Sequence, residues 1–333
     1  MIRARKNIKI LFRYVVAPLL GAWLFYSLYK QVEGQPHLAD SLDLIRRAPF
    51  GGMAVAFWLV IVLAFVNWGI EARKWQELLR TIQRITFARA YRSVLGGVAL
   101  SINTPNRMGE YGGRILYVEE GKRIRAISLS ITGSISQLIV TLVTGCVALA
   151  CMMLFRYDGS GPVMGLSVVW TRTLLLLSAI AAVITILFYF RLPWLIRLIE
   201  KIPAMSKYVQ YVNAIDSFNV KLLLRLLYLS FLRYVVFVIQ YILLLHVLDV
   251  AIAWVNAVGV ISVLFLVLAI VPSFAIADLG IRGKFSTALL GYYSGNVIGI
   301  IGTTFGIWFI NLFVPALAGS LLIFGIRFLK TNE

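Results

Sequence analysis

The 333-residue chain is 60% hydrophobic and only 14% charged, against about 25% charged residues in an average soluble domain. This composition predicts an all-α integral membrane protein, with residues 1–333 forming a single polytopic domain and no separate water-soluble core. The formal charge of +18 is explained by basic connections on the cytoplasmic side of a membrane, so nucleic acid is excluded as a partner.

Two apolar runs open the chain and predict the first two spans, about Ile10 to Tyr29 and about Gly51 to Ile70. Each has about the 20 residues that a helix needs to cross the hydrocarbon. The connection that follows, including Glu71 and Lys74, is rich in arginine and lysine. The positive-inside rule therefore assigns this connection and the N-terminus to the cytoplasm.

The next apolar stretch, Val94 to Ile102, has about half the length of a span and ends at a polar, glycine-rich motif, Thr104 to Arg114. Backbone that leaves a helix within hydrocarbon costs several kcal/mol per exposed group, so such a break survives only beside protein or a wet cavity. Basic residues flank both sides of the stretch. It therefore predicts a re-entrant hairpin on the cytoplasmic side, followed by a third span, about Ala126 to Leu154.

The second half begins with a fourth predicted span, about Val168 to Phe190. A basic connection follows, in which the apolar residues from Trp194 to Ile202 predict an interfacial amphipathic helix. The fifth span, about Leu226 to Leu248, returns to the outer side.

A second hairpin is predicted where the apolar run Ile252 to Val271 stops at a polar motif, Pro272 to Arg282. This hairpin is entered from the outside. The last span, about Val297 to Ile326, ends at basic residues and places the C-terminus in the cytoplasm. The location predicted is the cytoplasmic membrane, with several spans and both termini inside.

The two halves, about 1–155 and about 168–333, have opposite predicted topology. Six spans and two re-entrant hairpins thus form an inverted-topology repeat, an arrangement typical of transporters whose site lies near the bilayer midplane. The alternative is eight ordinary spans, in which both arms of each hairpin cross the membrane.

The first polar motif carries three charges, on Arg107, Glu110 and Arg114, at helical steps of three and four. They share one face if the segment is helical. Guanidinium groups match phosphate oxygens in a bidentate way, so two arginines beside one glutamate predict a site for a lipid phosphate. A purely structural ion-pair cluster is the alternative.

The second motif repeats this theme with Asp278 and Arg282, four residues apart and in the order that favours a helical pair. They are predicted to complete the headgroup site, unless the segment is an exposed loop. Arg233 and Gln240 in the fifth span are candidates for lining the lipid path; for Arg233, snorkelling to the headgroups is the alternative. Five residues are expected to let the backbone turn or approach closely: Pro105, Gly109, Gly113, Pro272 and Gly280.

These motifs resemble those of the lysylphosphatidylglycerol synthase transmembrane-region family, the flippase-like domain of MprF-type proteins. The resemblance is carried by Thr104-Pro105, Gly109-Glu110, Arg114, Pro272 and Gly280-Ile281-Arg282. The chain departs from the family at Ser273-Phe274-Ala275, where a glycine-rich turn is common, and at Gly283-Lys284, where an acidic residue is common. The resemblance implies a stand-alone, flippase-like protein. Only about seven residues follow the last span, so no aminoacyl-transfer domain and no enzymatic activity are expected.

The sequence thus predicts translocation of lipids with an anionic or amphipathic, phosphate-bearing headgroup. The alternatives are a membrane enzyme or accessory subunit acting on polyprenyl-phosphate-linked sugars or phospholipid headgroups, and a structural membrane protein. No nucleotide-binding or zinc motif occurs, so neither a cofactor nor a metal is predicted. The expected partners are membrane lipids, with a homo-oligomer or a lipid-modifying enzyme as further candidates.

Overall fold

The computed structural model describes Asp43 and residues 46–102, 104, 107–155, 167–200, 219–271 and 275–330. The first predicted span, Pro105 and Pro272 lie outside the described residues. The described part is helical and contains no strand. Its helices are α1 Ala54–Leu79, α2 Phe87–Ser101, α3 Gly109–Ile115, α4 Arg123–Phe155, α5 Val168–Glu200, α6 Val220–Val247, α7 Trp254–Ile270, α8 Ala275–Leu290, α9 Val297–Trp308 and α10 Val314–Lys330. A π-helical turn, Phe309–Phe313, joins α9 to α10.

Within the described residues, five helical stretches are long and apolar enough to cross a membrane: Ala54–Leu79, Glu120–Phe155, Val168–Arg191, Val220–Val247 and Val297–Ile323. They correspond to the second through sixth predicted spans. Large apolar side chains such as Phe65, Ile184 and Leu321 point outward on these helices. Such exposure is favourable in hydrocarbon and unfavourable in water. The prediction of a helical, multi-pass membrane protein is confirmed at this level.

Helix α1 extends nine residues beyond the predicted end of the second span, to Leu79. Glu71 and Lys74 are therefore buried helical residues, and the prediction that they lie in a connection after the helix is wrong. The helix continues because no proline interrupts it and because Ala72 and Trp75 pack into the core. The predicted interfacial helix also needs correction up to residue 200, since the backbone of α5 runs unbroken to Glu200.

Helices α1 and α6 pack antiparallel along the centre of the described bundle. Gln240 Nε2 donates to Val60 O over 2.8 Å at one level, and Arg225 Nη1 lies 3.1 Å from Glu77 Oε2 near the other end. Because the residue number rises along one helix as it falls along the other, the two run in opposite directions. In the described part of the chain, buried apolar residues form two clusters, one including Leu245 and the other including Trp75.

Helices α2 and α3 form a tight antiparallel hairpin. The Gly109 N–H donates to Thr104 Oγ1 over 2.7 Å at the turn, and the Ser93 hydroxyl donates to Arg114 O over 2.8 Å at the open end. A Cβ atom at Gly113 would lie 2.2 Å from Gly96 O, so no other residue fits there without backbone movement.

Two contacts join helices of the two predicted halves: α2 packs against α10, and α7 packs against α4. Helix α2 contacts α10 where a Cβ at Gly319 would lie 2.0 Å from Leu95 O. Helix α7 contacts α4 where a Cβ at Gly145 would lie 2.6 Å from the Leu266 Cβ. The two contacts are reciprocal, since each joins an arm of one half to the last helix of the other.

Candidate functional site

Three arginines from three separate elements line one cavity of about 270 Å³. Arg107 lies just before α3, Arg233 lies at the middle of the 28-residue helix α6, and Arg282 lies in α8. Two of them, Arg107 and Arg282, come from the two polar motifs. Apolar, aromatic and uncharged polar side chains complete the wall, among them Phe265 and Thr304.

Of the three cavity arginines, Arg107 is the one without an ion pair to a described residue. No hydrogen bond or ion pair joins its guanidinium to another described residue, and its side chain is half-buried. Its backbone has φ 57°, in the left-handed region that residues other than glycine seldom adopt. Such conformations cluster at ligand sites and switch regions.

Arg282 is paired within its own helix. Its Nε donates to Asp278 Oδ2 over 3.0 Å, one helical turn away. Asp278 is buried and does not line the cavity. The carboxylate therefore lies behind the guanidinium and holds it in place.

Arg233 lines the cavity and is held there by partners on α1. Its Nη1 donates to Glu71 Oε2 over 2.8 Å, and its Nε donates to Asn67 Oδ1 over 2.6 Å. The guanidinium carbon lies 5.0 Å from the centroid of the Trp68 ring. The side chain is 14% exposed, because these partners and the walls of the bundle enclose it.

Glu71 is the centre of a buried ion network that sequence reasoning missed. Besides Arg233 it contacts Lys74 Nζ at 2.9 Å and Arg114 Nη2 at 2.7 Å, and its side chain is only 4% exposed. Lys74 Nζ also donates to Gly133 O over 3.3 Å. The available signal was the spacing of Glu71 and Lys74 on one helical face with Trp68 and Trp75.

The predicted triad of the first motif is divided between two places. Arg114 binds Glu71 and forms a very close ion pair with Glu110, and it stacks over Trp75 at 5.3 Å. Arg114 is buried and Glu110 is 25% exposed on its side chain, and neither lines the cavity. Of the three, only Arg107 faces the cavity.

The remaining predicted residues have other surroundings. Gln240 is fully buried, binds the Val60 carbonyl and does not line the cavity. Gly109 and Gly113 lie at the close α2–α3 contact, and Gly280 is buried within α8 rather than at a turn.

Four further polar atoms of the lining residues have no hydrogen-bond partner among the described residues. Two are donors, the indole nitrogens of Trp68 and Trp308, and two are acceptors, the side-chain oxygens of Gln137 and Asn311. Asn311 lies in the π-helical turn, a distortion frequent at functional sites. Buried polar atoms cost free energy unless they are paired, so this wall is suited to a polar ligand or to water.

Comparison of the sequence with protein-family models and with curated proteins gives no match.

Proposed function

We propose that this protein moves lipids across the membrane and binds their phosphate-bearing headgroups in the cavity of Arg107, Arg233 and Arg282. The observation that supports the proposal is the convergence of these guanidinium groups within a bundle of membrane-length helices. Charges at membrane depth are costly and are usually kept for a function. Guanidinium groups bind phosphate oxygens in a bidentate geometry and remain charged at physiological pH.

The inverted repeat is part of this proposal. It is supported by the reciprocal packing of α2 on α10 and α7 on α4, and by the antiparallel pair α1 and α6. A re-entrant first hairpin is supported by the length of α3, because its seven residues extend over about 10 Å and the hydrocarbon is about 30 Å thick. Two halves related in this way would alternate around a headgroup held between them.

The carboxylates behind the cavity limit how tightly a headgroup is held. Glu71 already binds Arg233, and Asp278 already binds Arg282, so an incoming phosphate competes with both. Lys74 and Arg114 remain beside Glu71 when Arg233 turns toward the ligand. The site is thereby able to bind a headgroup and release it, as transport requires.

The proposal also includes a family and a cellular location for the protein. The chain is proposed to be a relative of the flippase-like family that its motifs resemble, in the cytoplasmic membrane with both termini inside. It is proposed to bind lipid and to transfer it without catalysing a covalent change.

The experiment is transfer of fluorescent phospholipids in vesicles that contain the purified protein. We expect wild-type protein to move labelled lipid between leaflets, and Arg107→Gln and Arg233→Gln proteins to do so at least tenfold more slowly. One lost charge-assisted hydrogen bond is worth about 1.5–3 kcal/mol, or roughly a factor of ten or more.

The matched control is Arg172→Gln, which removes an exposed arginine outside the cavity. It should transfer lipid at the wild-type rate. Lipid binding without any transfer by the wild-type protein would contradict the proposal and favour an enzyme or accessory subunit that holds the same headgroup. Neither binding nor transfer would favour a structural role.

A further inference from the structure

We propose that the cavity selects a phosphate monoester in its doubly charged form and rejects headgroups that carry an amine. This inference rests on the proposed function, because it names the class of headgroup for the same site. It differs from what the family resemblance suggests, since that family's name refers to a lysine-bearing lipid.

The charges around the cavity are not balanced. Among the described residues, five cationic side chains belong to the cavity and to the ion network behind it, namely Lys74, Arg107, Arg114, Arg233 and Arg282. Three carboxylates face them, on Glu71, Glu110 and Asp278. The excess of two positive charges lies in a region that membrane-length helices surround, so a bound anion with two negative charges would neutralise it.

The lining residues offer an ammonium group no charged partner. None of the described residues that line the cavity is aspartate or glutamate. The nearby carboxylates are already bound to cations, Glu71 to three of them and Asp278 to Arg282. A headgroup amine would therefore face three guanidinium groups with no carboxylate to receive it, and it would be repelled.

The number of arginines matches the number of oxygens on a terminal phosphate. A phosphate monoester has three terminal oxygens and a charge of about −1.5 to −2 at pH 7, because its second pKa is about 6. A phosphodiester has two such oxygens and a single charge. Arg107, Arg233 and Arg282 approach from three elements, so the monoester offers these three donors one more terminal oxygen and more negative charge than the diester does.

The size of the cavity also favours a small headgroup. Its volume of about 270 Å³ lies just below the roughly 300–1,000 Å³ of pockets that enclose a drug-sized molecule. A bare phosphate fits this space, with the indole N–H groups of Trp68 and Trp308 as additional donors.

An adjoining apolar groove favours a lipid over free phosphate as the source of the monoester. The groove has a volume of about 640 Å³ and lies between α4, α6 and α7. Tyr234 lines both the groove and the cavity, and its hydroxyl donates to Ser262 Oγ over 2.6 Å. Val147 and Val258 line the groove and are exposed on the outer surface of the bundle, where a hydrocarbon chain can lie while its phosphate occupies the cavity.

The test is binding of defined lipids to the purified protein in neutral nanodiscs at pH 7.5. We expect phosphatidic acid to bind at least tenfold more tightly than phosphatidylglycerol, and phosphatidylethanolamine to bind more weakly still. Lowering the pH to 5.5 should weaken binding of phosphatidic acid and leave phosphatidylglycerol unchanged, because only the monoester gains a proton in this range. Inorganic phosphate and glycerol 3-phosphate, which lack the hydrocarbon chain, should bind more weakly than phosphatidic acid.

The variants separate the cavity from general attraction to a basic protein. Arg107→Gln should abolish the preference for phosphatidic acid, whereas Lys284→Gln, in α8 but outside the cavity lining, should retain it. Equal binding of phosphatidylglycerol or phosphatidylethanolamine, or a preference that survives Arg107→Gln, would overturn the inference. Binding of inorganic phosphate as tight as that of phosphatidic acid would contradict the inference that the monoester belongs to a lipid.

The transfer assay distinguishes failure of this inference from failure of the proposed function. Selective binding of phosphatidic acid without any transfer would contradict transport and retain the monoester site. Transfer of phosphatidylglycerol and phosphatidylethanolamine as fast as phosphatidic acid would support transport and contradict the selectivity.

Discussion

Glu71 is a buried carboxylate whose two oxygens contact three cations, Lys74, Arg114 and Arg233. Each of these cations comes from a different position in the bundle, on α1, α3 and α6. A buried charge is tolerated only with such partners, and removal of one partner leaves the others unpaired in a medium that solvates them poorly. The residue therefore joins the first hairpin to the central helices and fixes Arg233 at the cavity.

Substitution of Glu71 tests whether the buried ion network stabilises the folded protein. Glu71→Ala should lower the free energy of unfolding by about 3–5 kcal/mol, because three buried cations lose their shared carboxylate. Unfolding by SDS in mixed micelles measures the change. Addition of Lys74→Met to Glu71→Ala should recover part of the loss, since it removes one of the unpaired charges.

An exposed ion pair supplies the control for this measurement. Glu119 lies 2.6 Å from Lys122 Nζ and its side chain is 61% exposed. Glu119→Ala should change the free energy of unfolding by no more than about 1 kcal/mol, as is usual for surface pairs. A loss for Glu71→Ala that is as small as this one would mean that the network contributes little to folding.

At the scale of elements, the α2–α3 hairpin depends on glycines that let two backbones touch. Gly113 and Gly96 meet at the contact, and Gly109 packs against the Leu100 carbonyl near the turn. Gly112 is the neighbour of Gly113 in the same short helix, and a Cβ there meets no atom within 4 Å. One helix thus contains both a glycine that packing requires and a glycine that it does not.

This pair of neighbours gives a matched test of the hairpin. Gly113→Ala should destabilise the protein by about 1–3 kcal/mol or more, because the added Cβ overlaps the Gly96 carbonyl and the helices must separate. Gly112→Ala should be neutral or should stabilise by up to about 1 kcal/mol, since alanine favours the helix. Thermal unfolding in detergent compares them, and equal effects would contradict the close contact.

At the scale of the whole molecule, the reciprocal contacts α2–α10 and α7–α4 relate the two halves. Helices of one half thereby support the hairpin of the other. The cavity lies where both polar motifs and α6 meet, so any motion that separates the halves also changes the distances between its three arginines. The proposed transport would need such coupling of packing to the site.

Cysteine labelling tests the re-entrant topology. In a protein with Cys146 and Cys151 replaced by alanine, we expect Asn106→Cys to react with an impermeant maleimide only from the cytoplasmic side. Ser273→Cys should react only from the outer side. Gly121→Cys and Tyr292→Cys serve as cytoplasmic and outer references, respectively. Eight full spans would reverse the sides of Asn106 and Ser273, and labelling of both from one side would exclude the inverted repeat.

The sequence by itself determined the membrane class and most of the helices, because runs of about 20 apolar residues have few alternatives in a bilayer. Arg107 and Arg282 were among the candidates because they lie in the two polar motifs, and Arg233 was a candidate because a charge within an apolar span is uncommon. The sequence did not find the end of α1, because Glu71 and Lys74 look like loop residues until their partners on α3 and α6 are known. Likewise, the sequence grouped Arg107 with Arg114, although they face different surroundings.

Only the tertiary structure decided which charges share a cavity and which lie behind it. Arg107, Arg233 and Arg282 are separated by about 50 residues or more along the chain, and no helical spacing relates residues on different helices. Their convergence depends on the glycine contacts of the first hairpin and on the antiparallel packing of α1 and α6. Local periodicity specifies a helix, whereas the relation between helices is specified by packing between residues far apart in sequence.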